Sequence, residues 1–267
     1  MQVGISTACF FTRRYTEDTL APIARMGAKR YEAFLSGYLE YELPFAQLMA
    51  RRQREEGLIC TAVHTLGSQF EPQLFSAGER QRDGARAWFH KALACAQCLG
   101  ARQYVMHGSF YLKRTRPALN YARLGEQLCE LAQIASAYGV RLTLENVHWC
   151  TYANSGMAHA LAPYVVESAL GYTLDVKQAA QAGEDAYAFL ADMGERLCNV
   201  HLCDLVVCQQ DVQTCLPGQG SFDFAALAQV LRRTHPQANV TMEVYPSDYQ
   251  DDEQLLQAYG YLCKLFA

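Results

Sequence analysis

The chain has 267 residues, 51% of them hydrophobic and 19% charged, and a formal net charge of −4. That length fits one domain, residues 1–267, of the size usual for an eight-fold barrel. The weak negative charge argues against a duplex DNA binder, and no apolar run reaches the roughly 18 residues of a membrane span.

The N-terminus enters an apolar strand with no basic region and secretory core before it, so the expected location is cytoplasmic. Two basic spots, Arg51–Arg54 and Lys113–Arg116, are too short to form a phosphate-binding stripe. Eleven cysteines suggest disulfides at first sight, but a chain this long needs no staples. The single C-x2-C, Cys95 to Cys98, falls inside a predicted helix without a second pair, which points to packing.

Short apolar runs predict strands at Gln2–Ala8, Arg30–Leu35, Ile59–His64, Gln103–His107, Arg141–Glu145, Tyr172–Asp175, Asn199–Leu202 and Asn239–Tyr245. Helical windows alternate with them at Thr16–Met26, Pro44–Glu56, Gly78–Leu99, Ala118–Tyr138, Met157–Glu167, Ala179–Met193, Phe222–Thr234 and Glu253–Phe266. Gly100 and Gly139 are stop signals, and Ser221 is a candidate cap for the helix near Phe222. The alternation predicts an α/β fold, a (β/α)8 TIM barrel. The competing doubly wound sheet would carry a phosphate loop after its first strand, and ISTACFFTR has none.

Ionisable residues cluster where predicted strands end, and in a closed barrel those ends converge. Glu145 ends VRLTLEN, Asp175 ends LGYTLDV, His201 lies in LCNVHLCD and Glu243 in NVTMEVY. Three carboxylates and one imidazole make a hard, mostly oxygen metal site suited to a divalent ion such as Mn²⁺, Mg²⁺ or Zn²⁺. An unpaired carboxylate at such a strand end is expensive to desolvate, so a strong partner is required. His64 in CTAVHTLG and His107 in QYVMHGSF end two earlier strands. They are candidates to bind substrate hydroxyls, to orient ligands or to hold a second ion.

Glu32 in YEAF either faces the barrel interior or pairs with a nearby arginine. Phe10, Tyr38, Phe70, Phe110, Trp149 and Tyr245 are candidates for the wall of a small-ligand pocket, against the alternative of rim packing. Gly218 and Gly220 in LPGQGSFDF permit a tight loop whose amides could meet an anion or a sugar oxygen. Lys177, just after Asp175, is a candidate proton carrier or substrate contact, weighed against a solvated surface lysine.

These motifs, LTLEN, TLDVKQA, NVHLCD, LPGQGSFDF and MEVY, resemble the xylose isomerase-like TIM barrels, the superfamily of sugar isomerases, epimerases and endonuclease IV. The resemblance covers essentially the whole chain. It implies that Glu145, Asp175, His201 and Glu243 hold one divalent metal ion (Mn, Mg, Co or Zn), with Glu145 and Glu243 as the acid and base pair. Two departures stand out. Gln178 replaces the histidine often found three residues after the strand-six aspartate, and Leu205–Leu216 lack the arginine common before the PG turn. The trinuclear zinc site of endonuclease IV also needs an Asp-x-His where this chain reads DVQTCLPG, which points away from DNA repair.

The resulting expectation is a metal-dependent isomerase or epimerase of a small ketose, inosose or related sugar, working through a metal-stabilised enediolate. Glu145, Glu243 and His107 are the expected catalytic residues. His64, His107, Trp149 and Lys177 are the expected substrate contacts. A dehydratase acting on an inosose or dehydroshikimate-type substrate would share the same first proton abstraction. A zinc-dependent abasic-site nuclease and a catalytically silent sugar-binding barrel are more distant alternatives. A homo-oligomer is compatible with the chain, and the helix bearing Trp88 and Phe89 is a candidate interface, against ordinary barrel packing.

Overall fold

Strands this short and apolar are stable when helices cover one face and a filled interior covers the other. The computed structural model describes residues 1–110, 118–165, 170–208 and 211–267. Its strands are β1 Val3–Ser6, β2 Arg30–Leu35, β3 Ile59–Thr65, β4 Gln103–Met106, β5 Arg141–Glu145, β6 Leu170–Asp175, β7 Leu197–Leu202, β8 Asp204–Cys208, β9 Asp211–Cys215 and β10 Asn239–Met242. Eight of them close a barrel in the order β1-β10-β7-β6-β5-β4-β3-β2, with every pairing parallel. β8 and β9 form an antiparallel hairpin outside it. The predicted (β/α)8 fold is the observed one.

The helices are α1 Leu20–Arg25, α2 Leu43–Glu55, α3 Glu71–Leu74, α4 Glu79–Leu99, α5 Tyr121–Ser136, α6 Met157–Leu161, α7 Val176–Gln181, α8 Ala186–Met193, α9 Phe224–Thr234 and α10 Asp252–Phe266. Apolar stripes seat the longer ones on the barrel, as with Leu124, Leu128 and Leu131 of α5, all buried. Phe89 is fully buried, while Trp88 packs on Tyr38 with ring centroids 4.4 Å apart and beneath the Lys91 ammonium. The proposed interface helix is therefore occupied with packing inside the chain. No helix among the described residues is long and apolar enough to cross a membrane.

Several predicted boundaries move for identifiable reasons. The window Ala179–Met193 is two helices, because the chain turns at Gly183 with φ +76° and Asp185 caps α8 by accepting from the Tyr187 amide at 3.0 Å. α6 gives way to a 3-10 turn, Ala162–Tyr164, containing Pro163, which cannot donate to a continuing helix. Glu167, its predicted end, lies outside the described residues, as does the basic spot Lys113–Arg116. Arg51, Arg52 and Arg54 are exposed on α2. The eleven cysteines are free thiols.

The hairpin and the glycine loop after it depend on Asp204, which is buried. Its Oδ2 accepts from the amides of Gly218 and Gly220, each at 2.9 Å, and its Oδ1 accepts from Leu205 at 2.9 Å and Phe222 at 3.1 Å. A Cβ at Gly220 would collide with that carboxylate. The loop amides expected to meet a ligand are thus spent on an internal anion. The expected cap Ser221 is replaced by Asp223, which accepts from the Ala226 amide at 2.9 Å. Asp204→Ala leaves several part-buried amides unpaired at about 1–3 kcal/mol each, so a loss of about 3 kcal/mol or more is expected. The midpoint of urea unfolding checks this, with Asp204→Asn falling between the variant and the native chain.

Candidate active site

Every predicted site residue reaches the same end of the barrel, and most are buried there. The register fixes this placement, since Glu145 pairs with Thr173, Asp175 with His201, and His201 with Thr241. Glu243 follows the last residue of β10 and stays in line by donating its amide to the Leu202 carbonyl at 3.0 Å.

Asn146, just after Glu145, clamps β5 to β6. Its side chain donates to the Asp175 carbonyl at 2.9 Å and accepts from the Asp175 amide at 2.6 Å. Asp175 then caps α7, with Oδ1 accepting from the amides of Lys177 at 2.8 Å and Gln178 at 3.0 Å. This cap fixes the carboxylate and leaves Oδ2 turned toward the cluster.

His201 lies at the centre. Its Nε2 is 3.0 Å from Glu32 Oε2, and because a carboxylate only accepts, that nitrogen carries a proton; with carboxylates at both ring nitrogens the ring is an imidazolium, held well above its ordinary range against burial by Glu32, Glu243 and Glu145. Its Nδ1 faces Glu145 Oε1 at 3.3 Å and Glu243 Oε2 at 3.2 Å. Glu32 therefore lies inside the barrel and orients His201, while Ser6 Oγ and Asn199 Nδ2 donate to it, each at 3.3 Å. Its partner is a histidine and not a neighbouring arginine.

The other oxygens of the two glutamates face the two remaining histidines. Glu145 Oε2 lies 3.0 Å from His107 Nε2, and Glu243 Oε1 lies 3.5 Å from His64 Nδ1. His64 and His107 approach one another, Nε2 to Nε2, at 2.8 Å.

His107 is held by a residue that sequence reasoning missed. Glu71, on α3, is fully buried and accepts from the amides of His107 at 2.8 Å and Gly108 at 3.1 Å. Thr65 and Tyr104 donate their hydroxyls to its other oxygen at 3.1 and 2.9 Å. A four-residue helix gives no periodic signal that could have singled it out.

Lys177 is only 3% exposed, so it is not a solvated surface lysine. Its ammonium donates to Asp175 Oδ2 and, at 3.0 Å, to Glu243 Oε2. Gln178, at the position of the family histidine, accepts from the His148 amide at 3.2 Å and lies 2.7 Å from His148 Nδ1.

Four carboxylates in so dry a place draw positive charge to themselves. Burial opposes ionisation of Glu32, but His201 and then His64 hold its carboxyl down at about 2. Glu145 and Glu243 stay well below the carboxylate range against the same burial, both chiefly through His201. Burial pushes Asp175 up to about 6, with Lys177 opposing it. Burial works against charge on His64, yet Glu243, Glu32 and Glu145 raise it to about 10.

One donor atom from each of Glu145, Asp175, His201 and Glu243 lies within 4.8 Å of the others, which is a set able to hold a metal ion. Glu145 Oε2 is buried and accepts no hydrogen bond. Three carboxylates and one imidazole with spare acceptor capacity fit a hard divalent cation. Glu32, His64, His201 and Glu243 form an overlapping group, as do His64, His107 and Glu145.

Above the cluster opens a cavity of about 230 Å³, lined by Glu145, Glu243, His64, His107 and Lys177 below and by aromatic rings at its sides. Trp149 and Tyr245 line it as expected, joined by Phe11 and Phe34, which the sequence reading did not select. Phe10 and Phe70 are instead in the core, Tyr38 packs on Trp88, and Phe110 stands behind Trp149 with centroids 5.9 Å apart.

The fold is shared with solved structures along nearly the whole chain. The IOLI protein, solved with a bound zinc atom, has a TM-score of 0.81 at 17% identity, covering 100% of this chain and 98% of its own. D-psicose 3-epimerase from Clostridium cellulolyticum H10, solved with D-tagatose, has a TM-score of 0.80 at 17% identity, covering 100% and 99%. The 3-keto-D-glucoside 4-epimerase of E. coli gives 0.77 at 18%, covering 98% of each chain. By sequence, the uncharacterized protein ML2432 of Mycobacterium leprae (strain TN) is 24% identical over 269 residues, covering 92% of this chain and 90% of its own. Residues 20–265 match the family model of the xylose isomerase-like TIM barrel, and the chain belongs to that family.

Proposed function

We propose that the protein is a divalent-metal-dependent isomerase or epimerase of a small ketose, inosose or related sugar. The carrying observation is the division of each glutamate. One oxygen of Glu145 and one of Glu243 face His201 Nδ1, while at the cavity floor the other oxygen of Glu145 faces His107 at 3.0 Å and His64 at 3.8 Å, and that of Glu243 faces His64 at 3.5 Å. Such a pair can hold a proton on one side of a substrate carbon and return it on the other. The solved relatives named as sugar epimerases support the same reading.

Glu145, Asp175, His201 and Glu243 are the residues that would hold the ion. When bound, a divalent cation polarises a carbonyl and stabilises negative charge on its oxygen. Glu32 accepts the Nε2–H of His201 and so would keep Nδ1, once it has given up its own proton, turned to the ion. His107 and His64 position substrate hydroxyls and relay protons to Glu145 and Glu243 respectively. Lys177 has three N–H groups, two of them directed at Asp175 and Glu243, which leaves the third for a substrate oxygen. Trp149 and Tyr245 present ring faces to the C–H side of a sugar. The cavity, about 230 Å³, lies below the roughly 300–1,000 Å³ usual for drug-sized ligands, which favours one monosaccharide over an oligomer.

Three outcomes are expected. Elemental analysis of protein purified without chelator yields one divalent ion per chain, and Asp175→Ala removes it. In a ketose and inosose panel read by chiral chromatography, Glu145→Gln and Glu243→Gln each lower turnover by about 10²–10⁴-fold. Release of water from the substrate instead of inversion would move the assignment to a dehydratase. Glu71→Gln, at a residue that is not itself part of the cavity lining but holds the His107 backbone, loosens His107 and lowers kcat by about tenfold or more while leaving the bound metal in place.

A further inference from the structure

The ammonium of Lys177 shares two oxygens, Asp175 Oδ2 and Glu243 Oε2, with the ligand set described above. We propose that Lys177 is a resident counter-cation that competes with the divalent ion for Asp175 and Glu243, and so lowers the metal affinity below what the ligand set alone would give. The inference rests on reading that cluster as the metal centre.

The argument is electrostatic and steric. The lysine is 3% exposed and begins a helix whose cap is Asp175 itself, so its backbone cannot move away from the cluster. Among the described residues its ion pairs are with those two carboxylates, and the Tyr245 ring lies 5.3 Å from Nζ. A dication at the same oxygens meets a unit positive charge a few ångströms away in a medium that screens it poorly. Each oxygen also has one lone pair already directed at an N–H. The following residue, Gln178, is uncharged and tied to His148, so on this turn Lys177 is the side chain whose charge balances the carboxylates. Without an ion, the lysine stabilises Asp175 and Glu243 in their positions, and the site stays formed while empty of metal.

The test is Mn²⁺ titration by calorimetry of the full chain stripped with chelator, comparing the native protein with Lys177→Met and Lys177→Arg. Lys177→Met is expected to bind Mn²⁺ at least about tenfold more tightly, and its thermal midpoint without metal is expected to fall. Lys177→Arg keeps the charge and should stay near the native affinity. Equal or weaker binding by Lys177→Met overturns the proposal. Should that variant fold only with metal present, it is loaded with Mn²⁺ and its affinity is read by competition with EGTA, where the same direction applies. If neither the native chain nor any variant binds Mn²⁺ or Zn²⁺, the metal reading itself fails and takes this inference with it. Binding by Lys177→Met alone supports the competition, and shows that in the native chain the lysine holds the site.

Discussion

Like charges crowded into a dry barrel mouth set the terms for the rest of the structure. Glu32, Glu145, Asp175 and Glu243 are all buried within one cluster. Two carboxylates about 4 Å apart repel by about 4 kcal/mol at the effective screening of a protein interior. The fold answers with His64, His201 and Lys177, each placed between two or more of them. The supporting contacts hold this arrangement in register. Asn146 clamps two strands, Asp175 caps the helix that carries Lys177, Glu32 orients the ring of His201 and Glu71 anchors the His107 turn.

The cluster is also divided by height along the barrel. Glu32 and Asn199 lie deeper and meet the lower nitrogen of His201, which fixes its ring, while Glu32 also faces His64 at 3.6 Å. Glu145 and Glu243 reach the cavity from strands separated by β6 and β7, with His107 beside the first and His64 between the two. The proposed movement of a proton between two faces of a small carbonyl compound rests on this arrangement of one carboxylate orienting a histidine ring and two glutamates at the cavity floor. The aromatic sides add shape without charge, leaving polar recognition to the floor.

The barrel was legible because alternating apolar runs report burial directly. All eight barrel strands were found, and Glu145, Asp175, His201 and Glu243 stood out as ionisable groups interrupting apolar strand ends. What stayed hidden were partners that become neighbours only through closure. Glu32 and His201 are 169 positions apart, and no local pattern distinguishes an interior glutamate on β2 from one paired with an arginine. Glu71 is on a single helical turn, and Asp204 acts through glycine amides that looked available for a ligand. Lys177, expected as a substrate contact, was weighed against a surface residue because a lysine opening a helix usually is one; the carboxylates of Asp175 and Glu243 make its burial tolerable.

The central claim is proton transfer at a carbon beside a carbonyl by Glu145 and Glu243, and solvent deuterium reports it without reference to the final product. The metal-loaded protein is incubated with ketoses and inososes in D₂O and followed by NMR. The account predicts that one carbon adjacent to the carbonyl exchanges its hydrogen for deuterium as its configuration inverts, and that Glu145→Gln or Glu243→Gln abolishes inversion. A protein that binds its metal and one of these sugars, yet exchanges no carbon-bound hydrogen, would contradict the account.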